Sequence, residues 1–334
     1  MNDAVRMIAV DLDGTLLNSR KRVSAEDAEA VRAAAARGVE FVPVTGRNFS
    51  TALPMVEDLL TTGPLISNNG ALIRSKNGET FFRALLPVSV AVAVLRATRE
   101  FRPYTVLMYD QSGEGQFRIE VPATGSPGEM IAPPDGVALS PWVRRVSAAV
   151  RFTDSLEKEL EGDPLEIMFA GPVPLMQEVA TLLGNGLENG LLHGLKDSLG
   201  PLPYGPFDFA SFVPPLRDQG RQGGRGSDYS NEALERPFRL LRTEYPARNF
   251  SIQDVIRGDC SKGHALAYWS RFRGIPREQI LAIGDNYNDL EMLRFAGIPV
   301  VMGNAEERLK QEGWAVTLDC DSGGVARAIE QYVL

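Results

Sequence analysis

The stretch Ile8-Ala9-Val10-Asp11-Leu12-Asp13-Gly14-Thr15-Leu16-Leu17 constrains the chain more than any other. Its apolar start reads as a buried strand. It stops abruptly at two carboxylates, a glycine and a threonine. Aspartate is a poor strand residue, which places Asp11 where the strand ends. In an open parallel α/β sheet that is the carboxyl edge, where ligands bind. Two acids one residue apart at such an edge can hold a hard cation through oxygen atoms. One acid can also act as nucleophile while the other moves protons. A calcium loop needs an acid or Asn at position 15, Gly at 16 and Glu at 22. The chain has Thr15, Leu16 and Arg22, so that reading fails. An ordinary surface turn stays open on this stretch alone.

The next segments repeat the pattern. Ser24 and Asp27 make a capping-box-like start to a helix over 25–37, which Gly38 stops. A strand over 39–44 ends at Thr45-Gly46-Arg47, a helix spans 49–60, and a strand over 65–67 ends at Asn68-Asn69-Gly70. Successive strand–turn–helix units predict a parallel sheet with polar groups along one edge. Segments 71–74 and 79–83 then read as a hairpin around Asn77-Gly78.

From Pro87 the style changes. Helices are expected over 88–101, 155–160 and 173–183. Strands are expected over 104–109, 116–121, 146–152, 165–170, 238–243 and 250–256, with a Pro/Gly-rich connection over 122–141. No chemical cluster appears here, and the region reads as a second α+β domain inserted into the first. Its polar, Gly/Arg-rich stretch at about 184–236 reads as a flexible loop rather than a basic lid or an RNA-binding segment. Phe207, Phe209, Phe212 and Val213 are candidates to dock part of it.

Near residue 258 the first style returns. Ser261-Lys262-Gly263 opens an amphipathic helix to about Phe272. A strand over 279–283 ends at Gly284-Asp285-Asn286-Tyr287-Asn288-Asp289, followed by a helix over 290–295. A strand over 299–302, a helix over 306–312, a strand over 315–318 and a C-terminal helix complete the pattern.

Composition narrows the chemistry. The net charge of −8 argues against nucleic acid and anionic membranes as partners, and calls for a metal or local basic groups wherever phosphate binds. With only two histidines, His193 and His264, a multi-histidine zinc site is excluded. Chemistry must rest on carboxylates, Lys, Thr and Asn. Two cysteines, Cys260 and Cys320, form no CxxC pair and imply no disulfide framework, so a reducing cytoplasm is expected. The first strand follows after six residues, leaving no room for a signal peptide, and no apolar run approaches a membrane span.

Four signatures thus share one setting at the ends of parallel strands: Asp11-x-Asp13, Thr45-Gly46-Arg47, Ser261-Lys262-Gly263 and Gly284-Asp285-x-x-Asn288-Asp289. In this order they resemble the haloacid dehalogenase-like hydrolase superfamily, specifically its Cof-type phosphatases. Asp11 to Leu17 matches the first family motif, Thr45-Gly46-Arg47 the second, Lys262 to Leu266 the third and Gly284 to Asp289 the fourth. Asn69-Gly70-Ala71, Met302-Gly303-Asn304-Ala305 and Gly323-Gly324-Val325-Ala326 look like further family features. The resemblance covers roughly half the chain. It implies an α/β fold: a Rossmann-like parallel-sheet core over 1–86 and 258–334, with an inserted α+β cap of C2 type over 87–257. Two departures stand out, the polar segment Gly258-Asp259-Cys260-Ser261 and the long 184–236 stretch.

The resemblance also implies a Mg2+-dependent phosphatase of small phosphorylated metabolites. Asp11 and Asp285, with the Asp13 main-chain carbonyl, would hold magnesium, and Asp289, one helical turn from Asp285, would support that site. Asp11 would attack phosphorus and form an aspartyl-phosphate, with Asp13 as acid and then base. Thr45, Gly46, Asn288 and Lys262 would cradle the phosphoryl oxygens. Arg47 reads equally as a phosphate contact or a cap-facing residue. The expected partner is a small phosphate ester, without nucleic acid, membrane or obligate protein partner. Two alternatives stay open: a phosphotransferase or mutase using the same intermediate, and a receiver-like signalling module phosphorylated on Asp11. A receiver does not need the large insertion. Elsewhere His264 reads as helix surface or cap contact, His193 as loop, Cys260 as an inert thiol, and Trp269 and Trp314 as core; Trp142 is a candidate to line a substrate pocket.

Overall fold

The structure is a computed structural model that describes residues 4–60, 63–123, 136–188, 237–245 and 248–334. It divides into two units. One contains the described residues of 4–83 and 260–334, and the other those of 84–259.

The first unit opens with β1 (Met7–Asp11), buried along its whole length. Helix α1 (Ala25–Ala36) follows, its N-terminus capped by the Ser24 side chain accepting from the Asp27 amide. Next come β2 (Glu40–Val44), α2 (Phe49–Val56), β3 (Leu65–Ser67), β4 (Leu72–Arg74) and β5 (Thr80–Arg83). The helix expected over 49–60 ends four residues early. Glu57 and Asp58 stand at its C-terminus, where the helix dipole disfavours acids, and Leu59 and Leu60 both return their amides to Val56 in a tightened last turn.

The second unit carries α3 (Val88–Ala97), β6 (Thr105–Met108), β7 (Phe117–Glu120), α4 (Pro141–Arg145), β8 (Val150–Thr153), β9 (Glu166–Gly171), α5 (Val173–Glu188), β10 (Phe238–Tyr245) and β11 (Phe250–Arg257). They form a six-stranded sheet in the order β10-β11-β9-β6-β7-β8. Side chains alternate between its faces, as a strand requires. Leu107, Ile167 and Phe169 join α3 and α5 in one core, whereas Val106, Met108 and Ala170 join Phe117, Val143 and Val150 in another. Two expectations fail here. The strand expected from Val146 starts only at Val150, because a short helix capped by Ser140 and a 3-10 turn take up 141–149. The helix expected over 155–160 is a set of turns. There the Arg118 guanidinium takes the Glu159 carbonyl, and Arg102 draws the Glu157 carboxylate aside. The Gly/Arg-rich stretch lies outside the described residues from 189 on, as do His193, Phe207, Phe209, Phe212 and Val213; residues 184–188 end α5.

The chain returns to the first unit with α6 (Lys262–Arg273), β12 (Ile280–Gly284), α7 (Leu290–Phe295), β13 (Ile298–Val301), α8 (Glu307–Lys310), β14 (Ala315–Val316) and α9 (Gly324–Tyr332). The eight-stranded sheet runs β14-β13-β12-β1-β2-β3-β4-β5. It is parallel from β14 to β3 and antiparallel through β4 and β5. The central strands are continuous apolar runs because both faces of a parallel sheet are covered. Register sets the functional edge: Val10 pairs with Ile283, Asp11 with Val44, and Val44 with Ile66. The strand order turns around β1, so a crevice opens at the carboxyl ends of β1, β2 and β12. The architecture is the expected α/β one: a mainly parallel-sheet core with a second α+β unit inserted between its two segments.

Candidate active site

Each signature sits where its strand stops. Asp11 is the last residue of β1, Thr45 follows β2, and Asp285 follows β12. Lys262 arrives from the first turn of α6, whose N-terminus is capped by the Ser261 hydroxyl accepting from the His264 amide. Asp11, Thr45, Lys262, Asp285 and Asp289 are all buried.

Three carboxylates meet around one ammonium. Asp11, Asp285 and Asp289 offer oxygen atoms that all lie within 4.8 Å of one another. Lys262 Nζ donates to Asp11 Oδ1 at 2.5 Å and to Asp289 Oδ1 at 2.6 Å. The other oxygen of Asp289 accepts the main-chain amides of Asp285 and Asn286, each at 3.0 Å. Asp285 accepts from the Thr15 hydroxyl at 2.9 Å. Burial, then the neighbouring Asp289 carboxylate, pushes the Asp11 carboxyl up to about 7, even against Lys262. Burial and the charges of Asp11 and Asp289 raise Asp285 as well. Burial alone would lower the pKa of Lys262, but the Asp11 and Asp289 carboxylates raise it, so the ammonium stays charged. One cation against three carboxylates leaves the cluster short of positive charge.

Asp13 lives differently. Arg47 grips it through Nε to Oδ2 at 2.5 Å and Nη2 to Oδ1 at 2.7 Å, and Lys21 Nζ adds 2.7 Å to Oδ1. Burial would raise this carboxyl, but Arg47 and Lys21 together hold it down at about 2. Around it the Thr45 hydroxyl oxygen accepts the Arg47 amide at 3.1 Å, and Asn288 Nδ2 donates to Asn69 Oδ1 at 3.0 Å. Gly14, at φ 93, lets Asp285 come close: a Cβ there would stand 2.4 Å from Asp285 Oδ2.

Comparison with known proteins agrees with this arrangement. The model of the haloacid dehalogenase-like hydrolase family matches residues 8–116 and 229–329. This chain belongs to that family. Phosphatase YwpJ of Bacillus subtilis is 28% identical to it over 330 residues, covering 98% of this chain and 100% of that protein. The 5-amino-6-(5-phospho-D-ribitylamino)uracil phosphatase YwtE of the same bacterium is 27% identical, covering 98% of each. A haloacid dehalogenase-like hydrolase from Bacteroides thetaiotaomicron, 24% identical, shares the fold at a TM-score of 0.64 over 98% of this chain and 99% of the other. The family match and the buried acid cluster together make this chain a phosphoric monoester hydrolase.

The cluster suits a hard divalent cation. Its donors are carboxylate oxygens, the preferred ligands of magnesium, and their mutual repulsion adds to burial in raising the pKa values of Asp11 and Asp285. The fold of this haloacid dehalogenase-like hydrolase also places the other singled-out residues, and corrects the expectations for His264 and Trp314. Arg47 is engaged with Asp13. His264 is buried, with Nδ1 2.8 Å from Ser261 Oγ and 3.3 Å from Glu291, so it is not helix surface. Trp269 is core, whereas Trp314 is only half-buried. Cys260 is buried. Trp142 packs edge-on against Phe117, with ring centroids 5.0 Å apart. Sequence reasoning missed three groups of the site. Thr15 and Asn69 lay inside motifs already noted, without a role. Lys21 lay outside every motif, and only the fold of the turn after β1 brings it to Asp13.

Proposed function

We propose that the chain is a magnesium-dependent, Cof-type phosphatase acting on small phosphorylated metabolites, such as sugar phosphates or phosphorylated cofactors. The observation that carries this reading is the buried Asp11–Asp285–Asp289 cluster around Lys262, with Asp13 held outside it by other cations. The name of YwtE, a phosphatase of 5-amino-6-(5-phospho-D-ribitylamino)uracil, supports a small-molecule ester as the substrate class. Two cysteines with no disulfide between them support a cytoplasmic setting; among the described residues no helix is long and apolar enough to cross a membrane.

Asp11, Asp285 and the Asp13 main-chain carbonyl would hold magnesium, which would supply positive charge to offset repulsion between a carboxylate and a phosphate dianion. Asp289 shapes that site from behind, since both its oxygens already serve Lys262 and two amides. Asp11 Oδ attacks phosphorus as the ester P–O bond breaks, giving an aspartyl-phosphate. Asp13 delivers a proton to the leaving oxygen and then takes one from the water that cleaves the aspartyl-phosphate. The phosphate's own charge raises the Asp13 pKa toward the value this requires. Thr45, Gly46, Asn288 and Lys262 stabilise the charge on the phosphoryl oxygens.

A panel of phosphorylated metabolites assayed with magnesium tests the reading. Phosphate release should appear on small esters and drop by roughly 10³-fold or more in Asp11→Asn, the scale of losing a nucleophile. Full activity in the purified variant would remove Asp11 from its role. An isomerised sugar phosphate in place of free phosphate would make the enzyme a mutase.

A further inference from the structure

The Asn68–Asn69–Gly70 turn has no part in the roles above, yet the loops that would cradle phosphate rest on it. Its backbone is left-handed at all three positions, with φ of 51, 51 and 97. Side chains seldom adopt that conformation, and asparagine is among the few that tolerate it. Strain of this kind persists where surroundings over-determine it, and here they do. The Asn68 amide donates to the Arg47 carbonyl at 2.8 Å and the Asn69 amide to the Thr45 carbonyl at 3.0 Å, pinning the 45–47 loop. Asn69 Oδ1 accepts from Asn288 Nδ2. A Cβ on Gly46 would lie 3.0 Å from Asn69 Oδ1 and 3.2 Å from its Nδ2, so glycine at 46 gives that amide its seat. A Cβ on Gly70 would stand 2.2 Å from the carbonyl oxygen of Ser261, the residue that caps the helix carrying Lys262. Thr45–Gly46, Asn288 and Lys262 are thereby all referenced to one turn.

We propose that Asn69 is a positioning residue for phosphate binding, holding the side-chain amide of Asn288 in a fixed plane against the Thr45–Gly46 loop. The inference rests on the phosphatase reading of the site. An Asn amide has two N–H groups. Asn69 takes one of those of Asn288, which fixes the plane and leaves the other for a substrate oxygen. Without that anchor the amide rotates, and its ordering must be supplied on binding.

Asn69→Gly removes the side chain and keeps a backbone for which positive φ is free of strain. It should be compared with Asn288→Ala and with the double variant, after thermal melts establish that each folds. The readouts are kcat and KM on a small ester with magnesium, and inhibition by orthophosphate. Asn69→Gly should raise KM and the orthophosphate inhibition constant together by roughly tenfold, the scale of one well-placed hydrogen bond, with kcat changed less than about threefold. In the Asn288→Ala background the same change should add almost nothing, because the two residues act as a unit. Equal losses in both backgrounds, or an unchanged inhibition constant, overturn the proposal while leaving the phosphatase reading intact. Gly46→Ala gives a second arm. It should weaken orthophosphate binding in the wild type and lose most of that effect in Asn69→Gly, where the obstructed atoms are gone; an undiminished effect overturns the proposal. A wild type that releases no phosphate overturns the reading, and the inference with it.

Discussion

Asp11 and Asp13 are separated by a single residue in sequence and have opposite electrostatic surroundings. The first is pushed up to about 7 by burial and by its acidic neighbour Asp289. The second is held at about 2, against burial, by Arg47 and Lys21. Their division of labour can be tested on the side chains alone. Asp13→Ala keeps the main-chain carbonyl, so magnesium affinity measured by calorimetry should stay within a few-fold of wild type, while turnover falls by roughly 10²–10⁴, the usual worth of a general acid and base. Asp11→Ala should lose both. If Asp13→Ala proves the worse magnesium binder, the assignment is reversed.

At the scale of elements, α6 does most to assemble the site. It is fixed at its start by the Ser261 cap and at its end by Gly274, which takes the left-handed conformation at φ 62. Its first residue, Lys262, ties β1 through Asp11 to the turn after β12 through Asp289. Ser261 also donates to Glu291 at the start of α7. Ser261→Ala removes the cap and one buried partner of Glu291, and should cost about 1–2 kcal/mol. Chemical denaturation reads this directly. A loss below about 0.3 kcal/mol would mean that packing alone holds the helix start.

At the scale of the whole molecule, the buried acid cluster links stability to pH. The Asp11 pKa rises from 3.8 to about 7 on folding, so between those values the native state binds more protons than the unfolded chain. Metal-free stability from this group therefore falls as pH rises from about 4 to 7 and levels off above. Asp13 has the opposite sign: its contribution is present above its unfolded pKa and is lost as pH falls toward 2. On the proposed function, a divalent cation would replace the proton on the acid cluster. Scanning calorimetry with magnesium or with a chelator should give a magnesium-induced rise in Tm that is larger at pH 8 than at pH 5. An equal rise at both pH values would place the bound ion away from Asp11.

Much of the site was legible along the chain because its chemistry is local. An apolar strand that ends in a carboxylate needs no partner to be recognised, and Asp11, Thr45, Lys262 and Asp285 each announce themselves at a strand end or helix start. Elements failed to show where a distant side chain overrode local preference. Arg118 unmakes the helix expected over 155–160 by taking the Glu159 carbonyl, and nothing near Glu159 signals it. The residues by themselves thus determined that two acids, a lysine and an acid-rich turn share one sheet edge. Only the tertiary structure decided how charge is divided among them: Lys262 between Asp11 and Asp289, Arg47 and Lys21 on Asp13, and Asn69 on Asn288. Those pairs join positions far apart in the chain, from 8 residues for Lys21 and Asp13 to 251 for Lys262 and Asp11. Side-chain direction and burial, which set their energies, exist only once the strands have taken their register.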